Sequence, residues 1–212
     1  MKSFFLSAIL LVAMVSQAQN EKYVAAMKGN LSKFDSAKTT ADFESMAATF
    51  IRIGDAEKNQ WLPYYWAGLT LTNIGWNDKN TDKDALAIRI LALCEKAEAL
   101  VKDSIDQSEI LSLRNMAATQ QMMVDPQNRF MSYGRQAAGY LQKGLQLNPN
   151  NPRLYYLQGM SVFNTPEQFG GGKAKAKPVF QKSVDLYKSE KVKPLYPHWG
   201  QEQAVQMLAQ CQ

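Results

Sequence analysis

The chain has 212 residues, with 24 lysines and arginines against 19 aspartates and glutamates, and a formal net charge of +5. Its length is that of one domain with a sizeable core. The two cysteines, Cys94 and Cys211, exclude a disulfide-rich scaffold and leave a single bridge between them open. After the N-terminal segment, no stretch approaches the roughly 20 apolar residues that a membrane-spanning helix needs.

The N-terminus has the pattern of an export signal. Lys2 precedes an apolar run at 4–15, and the small residues Ser16 and Ala18 occupy the −3 and −1 positions of a cleavage site. The pattern predicts a signal peptide at 1–18 and one helical-repeat domain at 19–212, located in the periplasm or secreted. Export disfavours nucleic acid as a partner.

Apolar residues recur three and four positions apart along nearly all of the remaining chain, as at Tyr23, Met27 and Leu31. This spacing is typical of helices with one apolar face, and the alternating pattern of β-strands is missing from the sequence. The sequence therefore predicts an all-α fold. The predicted helices are 21–37, 40–57, 61–76, 82–101, 107–123, 126–147, 152–164, 172–188 and 200–211.

Several helix starts are marked by capping residues. Thr81 and Asp84 have the spacing of a capping box, in which two side chains bind free N–H groups of the first turn. Asp125 and Asn151 are each followed by proline, which is well tolerated at the first helical position. These signals place helix starts near 82, 126 and 152.

The stretches WLPYYWAGLTL and PRLYYLQGMSV share the pattern Tyr-Tyr-x-x-Gly. Together with later Ala-x-x-x-large pairs and closing prolines, this pattern resembles the tetratricopeptide repeat (TPR), in which small residues let paired helices approach closely. The resemblance implies a TPR-like α-solenoid of about four helical hairpins plus a C-terminal capping helix. The positions that carry it are Tyr64, Gly68, Tyr155, Gly159, Ala137, Ala176 and Phe180.

The stretches FIRIGDAEKNQWLPYYWAG, NPNNPRLYYLQG, TPEQFGGGKAKA and PHWG are together similar to a family of exported bacterial TPR-like proteins. This resemblance covers nearly all of the mature chain. It implies a protein that is not an enzyme, and it says little about the ligand.

Adjacent tyrosines on a helix point about 100° apart, so both members of each Tyr-Tyr pair cannot face the core. If Tyr64 and Tyr155 pack between hairpins, the second tyrosines face the concave side that lines the groove of TPR-like stacks. Tyrosine and arginine commonly anchor interfaces. The candidate partner-binding residues are Tyr65, Leu69, Arg153, Tyr156 and Met160, and plain packing between hairpins is the alternative for them.

The leading hypothesis is a non-enzymatic scaffold that binds a protein or peptide of unknown identity in this groove. The alternative is a small-molecule carrier, or an accessory protein of solute uptake, in which the hairpins enclose an apolar pocket. A weaker alternative is a hydrolase built around His198, the single histidine. The sequence has no catalytic or metal-ligating pattern, and we predict no cofactor and no metal.

The triplet Gly170, Gly171 and Gly172 stands directly before Lys173. It fits neither a Walker loop nor a dinucleotide fingerprint, because the remaining glycine and hydroxyl positions hold other residues. It is interpreted as a tight turn between two helices. The lysine-rich segment Lys173–Lys193 is interpreted as a solvated helix face and loop, with an acidic partner or contact with a membrane surface as the alternatives.

Overall fold

The computed structural model describes residues 21–34 and 36–212, so the predicted signal peptide at 1–18 lies outside the described residues. Every regular element in this part of the chain is helical, which confirms the all-α prediction. The elements are α1 (21–31), α2 (Thr40–Glu57), α3 (Leu62–Asn77), α4 (Lys83–Glu98), α5 (Ser104–Val124), α6 (Pro126–Arg129), a π-helical turn (Phe130–Gly134), α7 (Arg135–Leu147), α8 (Pro152–Asn164), a 3₁₀ turn (Glu167–Phe169), α9 (Lys173–Ser189) and α10 (Gln201–Gln210).

Side-chain caps set several of these boundaries. The Asn151 side chain accepts hydrogen bonds from the first backbone N–H groups of α8, as predicted. At α4 the prediction is wrong in detail, because the cap is Asp82 and not Thr81. The Asp82 carboxylate accepts from the N–H groups of Asp84 and Ala85, both at 3.0 Å. A carboxylate at this position also interacts favourably with the helix dipole.

Two predicted helices differ from the structure. The helix predicted at 21–37 ends at residue 31, and the described residues 32–34 and 36 form turns. The helix predicted at 126–147 is interrupted by the π-helical turn Phe130–Gly134. A Cβ atom at Gly134 would lie 3.1 Å from the Phe130 ring and 3.2 Å from the Met122 sulfur. The backbone of this turn, which is wider than an α-helical turn, therefore packs closely against α5 at Gly134.

Helices that are neighbours in sequence pack against each other, in the pairs α2 with α3, α3 with α4, α4 with α5, α5 with α7, α8 with α9, and α9 with α10. By comparison, α8 contacts α5 and α7 only sparsely. The largest core is formed by side chains of the five helices α1 to α5 and surrounds the buried Trp66 ring. Smaller apolar clusters lie between α8, α9 and α10.

The non-helical segment 190–200 returns from α9 to the large core. The carbonyl of Leu195 accepts a hydrogen bond from the Trp66 indole at 2.8 Å. The Trp199 indole donates to the Tyr65 hydroxyl at 2.8 Å, and the Tyr196 hydroxyl donates to Asp106 at 3.0 Å. The segment therefore covers the face of α3 that would otherwise be open.

Glycines mark the closest helix approaches. A Cβ at Gly54 would lie 2.8 Å from the Tyr64 ring, and one at Gly144 would lie 2.6 Å from Leu154. One at Gly159 would lie 2.5 Å from the buried Phe180 ring. At Gly68 the neighbour is the end of the Leu113 side chain, at 3.0 Å. These distances leave no room for a larger residue unless a neighbour moves.

A buried ion cluster joins α5, α8 and the residue after α9. The Arg153 side chain, 3% exposed as a residue, donates to both Glu109 carboxylate oxygens, at 2.8 and 3.0 Å. It also pairs with Glu190. Asn151 donates to the same Glu109 at 2.8 Å. The burial of Glu109 raises the pKa of its carboxyl, although Arg153 acts in the opposite direction.

We predict that Gly159→Ala lowers the free energy of unfolding by about 1–2 kcal/mol, since overpacking against the Phe180 ring outweighs the gain in helix propensity. Gly68→Ala should cost less, because the Leu113 methyl group can move aside. Gly139→Ala on α7 is the control, since its Cβ would meet no atom within 4 Å, and it should stabilise by about 0.5–1 kcal/mol. Urea unfolding measures all three, and equal effects at the three sites would contradict the packing described.

Arg153→Met should destabilise the fold by about 3–5 kcal/mol, because it leaves Glu109 buried without its cation. The double variant Arg153→Met with Glu109→Gln should recover a large part of this loss, since the remaining carboxylate, Glu190, is partly exposed. Chemical denaturation measures both. A double variant no more stable than Arg153→Met would show that charge burial is not the cause.

Asp106 gives a pH-dependent prediction. Burial raises the pKa of its carboxyl above the usual value, so the folded protein holds this proton more tightly than the unfolded chain does. The stability that this group contributes at low pH is therefore lost as the pH rises from about 4 through the raised pKa. Asp106→Asn should remove this loss, so the variant gains on the wild type between pH 4.5 and 7.

Asp185→Asn is the control with the opposite sign. Hydrogen bonds, first from Gln181 and then from Lys188, lower the pKa of Asp185, so its contribution to stability is present above the unfolded pKa. This variant should lose on the wild type as the pH rises. Unfolding midpoints at several pH values compare the two, and the same trend in both would contradict the assignment.

Candidate functional site

Three of the predicted groove residues lie in the interior. Tyr65 is 0% exposed and Leu69 is buried in the large core. Arg153 belongs to the buried ion cluster with Glu109. These residues therefore do not line an open groove. The prediction treated the outer face of α3 as open, whereas segment 190–200 covers it and Trp199 binds the Tyr65 hydroxyl.

Tyr156 and Met160, the other two predicted groove residues, are partly buried inside the C-terminal hairpin. The Tyr156 ring lies 6.3 Å from the Phe180 ring and 6.4 Å from the Trp199 ring, measured between centroids. Both residues pack against the cluster between α8 and α9. The five predicted residues thus have no common accessible surface.

The positions assigned to the repeat pattern are mostly buried. The Tyr64 hydroxyl donates to Asp55 at 2.8 Å, while Tyr155 is partly exposed. The glycines at 68 and 159 meet different helices, since Gly68 faces Leu113 of α5 and Gly159 faces Phe180 of α9. Buried side chains at the remaining repeat positions are Ala137, Ala176 and Phe180.

The glycine triplet lies in the turn between α8 and α9. Gly170 and Gly172 have φ angles of 85° and 92°, in the region that favours glycine. A Cβ at Gly171 would lie 2.2 Å from the carbonyl oxygen of Thr165. Each of the three positions thus has a structural reason for glycine. Pro178 lies inside α9, so this helix begins before the proline.

The groups considered for catalysis lie apart or are occupied. His198 is exposed, and its Nδ1 atom lies 3.0 Å from the carbonyl oxygen of Tyr196. The buried Ser183 hydroxyl donates to the carbonyl of Pro152. Cys94 and Cys211 are free thiols, and burial raises the pKa of Cys94 to about 12. Within residues 21–34 and 36–212, no three acidic, cysteine or histidine side chains form a group able to hold a metal.

One groove lies between α7 and α8 and has a volume of about 500 Å³. We call it the α7–α8 groove. The helices are close at Gly144 and Leu154, near the connecting turn, and the lining residues extend from there along both helices. Its lining residues are Ala138, Leu141, Gln142, Leu145, Gln146, Gln158, Ser161 and Val162.

Exposed apolar side chains lie in the turns at the end of this helix pair away from the connecting turn. Phe130 and Met131 lie in the π-helical turn before α7, and Phe169 lies in the 3₁₀ turn after α8. Because α7 and α8 are joined by the short connection 148–151, these two ends belong to the same end of the helix pair. No pattern in the sequence indicates this groove, since alanine, leucine and glutamine are ordinary helix residues.

A second groove lies between α1 and α2 and has a volume of about 610 Å³. We call it the α1–α2 groove. The lining contains both apolar and cationic side chains, in contrast to the neutral lining of the α7–α8 groove. Its residues are Lys22, Tyr23, Ala26, Gly29, Asn30, Lys33, Thr49, Arg52, Ile53, Ala56 and Glu57.

None of the helices in the described part of the chain combines the length and the apolar character that crossing a membrane requires. No protein-family model matches the sequence, and no curated protein matches it. Among solved structures, the chain is similar to the HusA haemophore from Porphyromonas gingivalis, with 36% sequence identity and a TM-score of 0.80. The match covers 89% of this chain and 92% of HusA. With this identity over nearly the whole of both chains, the protein belongs to the same family as HusA.

Proposed function

We propose that this protein is an exported, non-enzymatic carrier that binds haem or a related porphyrin. The observation that carries the proposal is its likeness to the HusA haemophore over nearly the full length. This likeness favours the small-molecule carrier over the protein-binding scaffold. The interior positions of Tyr65, Leu69 and Arg153 further weaken the scaffold hypothesis.

The α7–α8 groove is the proposed porphyrin site. Its volume of about 500 Å³ lies within the roughly 300–1,000 Å³ range of small-molecule sites. Leu141, Leu145 and Val162 offer apolar contacts to a flat macrocycle, and each Å² of apolar surface removed from water contributes about 25 cal/mol. The exposed Phe130 and Phe169 lie in the turns before α7 and after α8, at the end of the helix pair away from the connecting turn.

Porphyrin carboxylates need polar partners at the edge of the groove. Arg135 lies one turn before Ala138 on α7, so its side chain occupies the same face of the helix. Gln142 and Gln158 add amide donors. A guanidinium group binds carboxylates well because it offers several N–H groups in one plane.

The iron of haem is not required for binding in this arrangement. The usual protein ligands of haem iron are histidine, cysteine, methionine and tyrosine, and the groove lining contains none of these residues. Met131 and Tyr133 belong to the π-helical turn before α7, outside the lining. Affinity therefore comes mainly from contact with the macrocycle and its carboxylates.

The helix pairs are proposed to form a TPR-like solenoid. One line of support is the packing of successive helices against each other. Another is a shared contact: Gly54 lies against Tyr64 and Gly144 lies against Leu154, so in both places a glycine near the end of one helix meets a residue ten positions later, near the start of the next helix. An acidic partner at Lys173–Lys193 stays a prediction.

The wild-type protein is expected to bind haem in a saturable titration followed by the Soret absorbance, and to bind metal-free protoporphyrin with an affinity within about tenfold. Ala138→Glu should weaken both by at least about tenfold, because it places a carboxylate against the apolar ring and near the porphyrin carboxylates. Ala26→Glu is the matched control, since it makes the same exposed substitution in the other groove.

The possible results separate function from location. If the wild type binds neither haem nor protoporphyrin, the proposed function is wrong. If it binds both but Ala138→Glu binds as well as Ala26→Glu, the function stands and the site lies elsewhere. Circular dichroism of each variant checks that the fold is retained.

A further inference from the structure

Exposed large apolar side chains are concentrated in two stretches of the chain. Of ten such side chains among the residues that the structure describes, five lie where α5 leads into α7 and where α8 leads into α9. We call these five the apolar tips, and they are Met123, Val124, Phe130, Met131 and Phe169. Single exposed apolar residues are normal, whereas a concentration of them marks an interaction surface.

Both stretches lie at the same end of the helix pair α7–α8. Gly144 meets Leu154 near the connection 148–151, while Ala138 and Val162, which are further from that connection, line the same groove. The two helices therefore run antiparallel, and the π-helical turn and the 3₁₀ turn lie beyond the same end. Since α9 follows the 3₁₀ turn and packs along α8, its first residues lie at this end as well.

Positive charge accompanies the apolar tips. Lys173, Lys175 and Lys177 lie in the first two turns of α9 and are exposed. None of the three has an ion pair with a carboxylate in the described ranges 21–34 and 36–212. The stretches 123–131 and 167–177 together contain four basic and two acidic residues, so this end of the molecule carries an excess of positive charge.

The lysines occupy positions that the helix itself disfavours. Lys173 and Lys175 lie in the first turn of α9, which has no acidic residue, and the N-cap Gly172 has no side chain with which to cap it. The positive end of the helix dipole lies here, so cations at these positions reduce stability. Residues that break a local rule of stability are expected at functional sites.

A lipid bilayer with anionic headgroups suits both parts of this surface. Peripheral binding to a membrane increases with the apolar area buried at the headgroup boundary and with the attraction of cations to anionic lipids. The apolar tips belong to separate turns, and none of them is in the lining of either groove described above. A fluid bilayer accepts such separate side chains, whereas a folded protein partner requires a closely matched surface.

We propose that this end of the molecule binds the surface of a bilayer that contains anionic phospholipids. Phe130, Met131 and Phe169 enter the boundary between headgroups and acyl chains, and the three lysines of α9 contact lipid phosphates. The contact is peripheral and reversible, and it is independent of the porphyrin site.

Vesicle sedimentation tests the proposal. The wild-type protein, free of porphyrin, should bind mixed vesicles of phosphatidylcholine and phosphatidylglycerol at least about tenfold more tightly than vesicles of phosphatidylcholine alone. Added salt should weaken this binding, because it screens the lysines from the headgroups. No binding to the mixed vesicles, or equal binding to both kinds, overturns the proposal.

The triple variant Lys173→Gln, Lys175→Gln, Lys177→Gln separates membrane binding from stability. It should bind the mixed vesicles at least about tenfold more weakly, since each lysine near an anionic surface contributes about fivefold. Its melting temperature should equal or exceed that of the wild type, because the helix dipole no longer faces cations. A variant that binds as tightly as the wild type overturns the proposal.

The triple variant Lys188→Gln, Lys191→Gln, Lys193→Gln is the matched control. It makes the same change in net charge at the last turn of α9 and just beyond it. The two sets of lysines are separated along α9 by roughly 20 Å or more, which exceeds the Debye length of about 10 Å in ordinary buffer. The control should bind vesicles as the wild type does, and an equal loss in both triple variants would show that net charge alone is responsible.

Phe169→Ser tests the apolar contribution. The Phe169 side chain is 73% exposed, so its loss should leave the fold intact and weaken binding to the mixed vesicles about fivefold or more. Ile105→Ser is the control, since Ile105 is 56% exposed and lies at the other end of the 21-residue helix α5. Equal effects of the two substitutions contradict the proposed orientation.

Soluble polyglutamate distinguishes a membrane from an acidic polypeptide. If it binds as tightly as the mixed vesicles, and Phe169→Ser changes neither affinity, the surface binds an acidic polypeptide and the membrane proposal is wrong. Because neither the protein nor the vesicles contain porphyrin, these results do not depend on the proposed function. A protein that binds the vesicles but neither haem nor protoporphyrin would refute the carrier function alone.

Discussion

The buried ion cluster of Arg153 with Glu109 and Glu190 is the constraint on which the C-terminal half of the molecule depends. Its charges are stable in the interior only because they are paired and hydrogen-bonded. Since α8 contacts α5 and α7 sparsely, the pairing of Arg153 with α5 fixes where the hairpin of α8 and α9 lies. The next residue, Leu154, packs at Gly144, so the same corner sets the distance between α7 and α8.

The shape of the α7–α8 groove follows from this corner. The two helices are close where Gly144 admits Leu154, and the groove lining extends from there along both helices. Partly exposed apolar side chains of this lining, such as Leu145 and Val162, are accessible to a flat ligand. The absence of a side chain at Gly144 thus sets the spacing of the two helices that line the proposed site.

The helices were predictable because their signals are local. Apolar spacing and caps such as Asn151 act within one or two turns, and the structure has a helix at each predicted place. The groove residues were not predictable, because Tyr65 and Arg153 are covered by partners far along the chain, Trp199 and Glu109. A residue type that suits an interface also suits a buried hydrogen-bonded site, and periodicity alone does not distinguish the two.

The two grooves differ in how well each suits a porphyrin ring. The lining of the α1–α2 groove contains Lys22, Lys33, Arg52 and Glu57, so a ring placed there would remove charged side chains from water. The lining of the α7–α8 groove contains no charged side chain, so an apolar ring meets no such penalty there. The porphyrin ring is therefore better matched to the neutral groove.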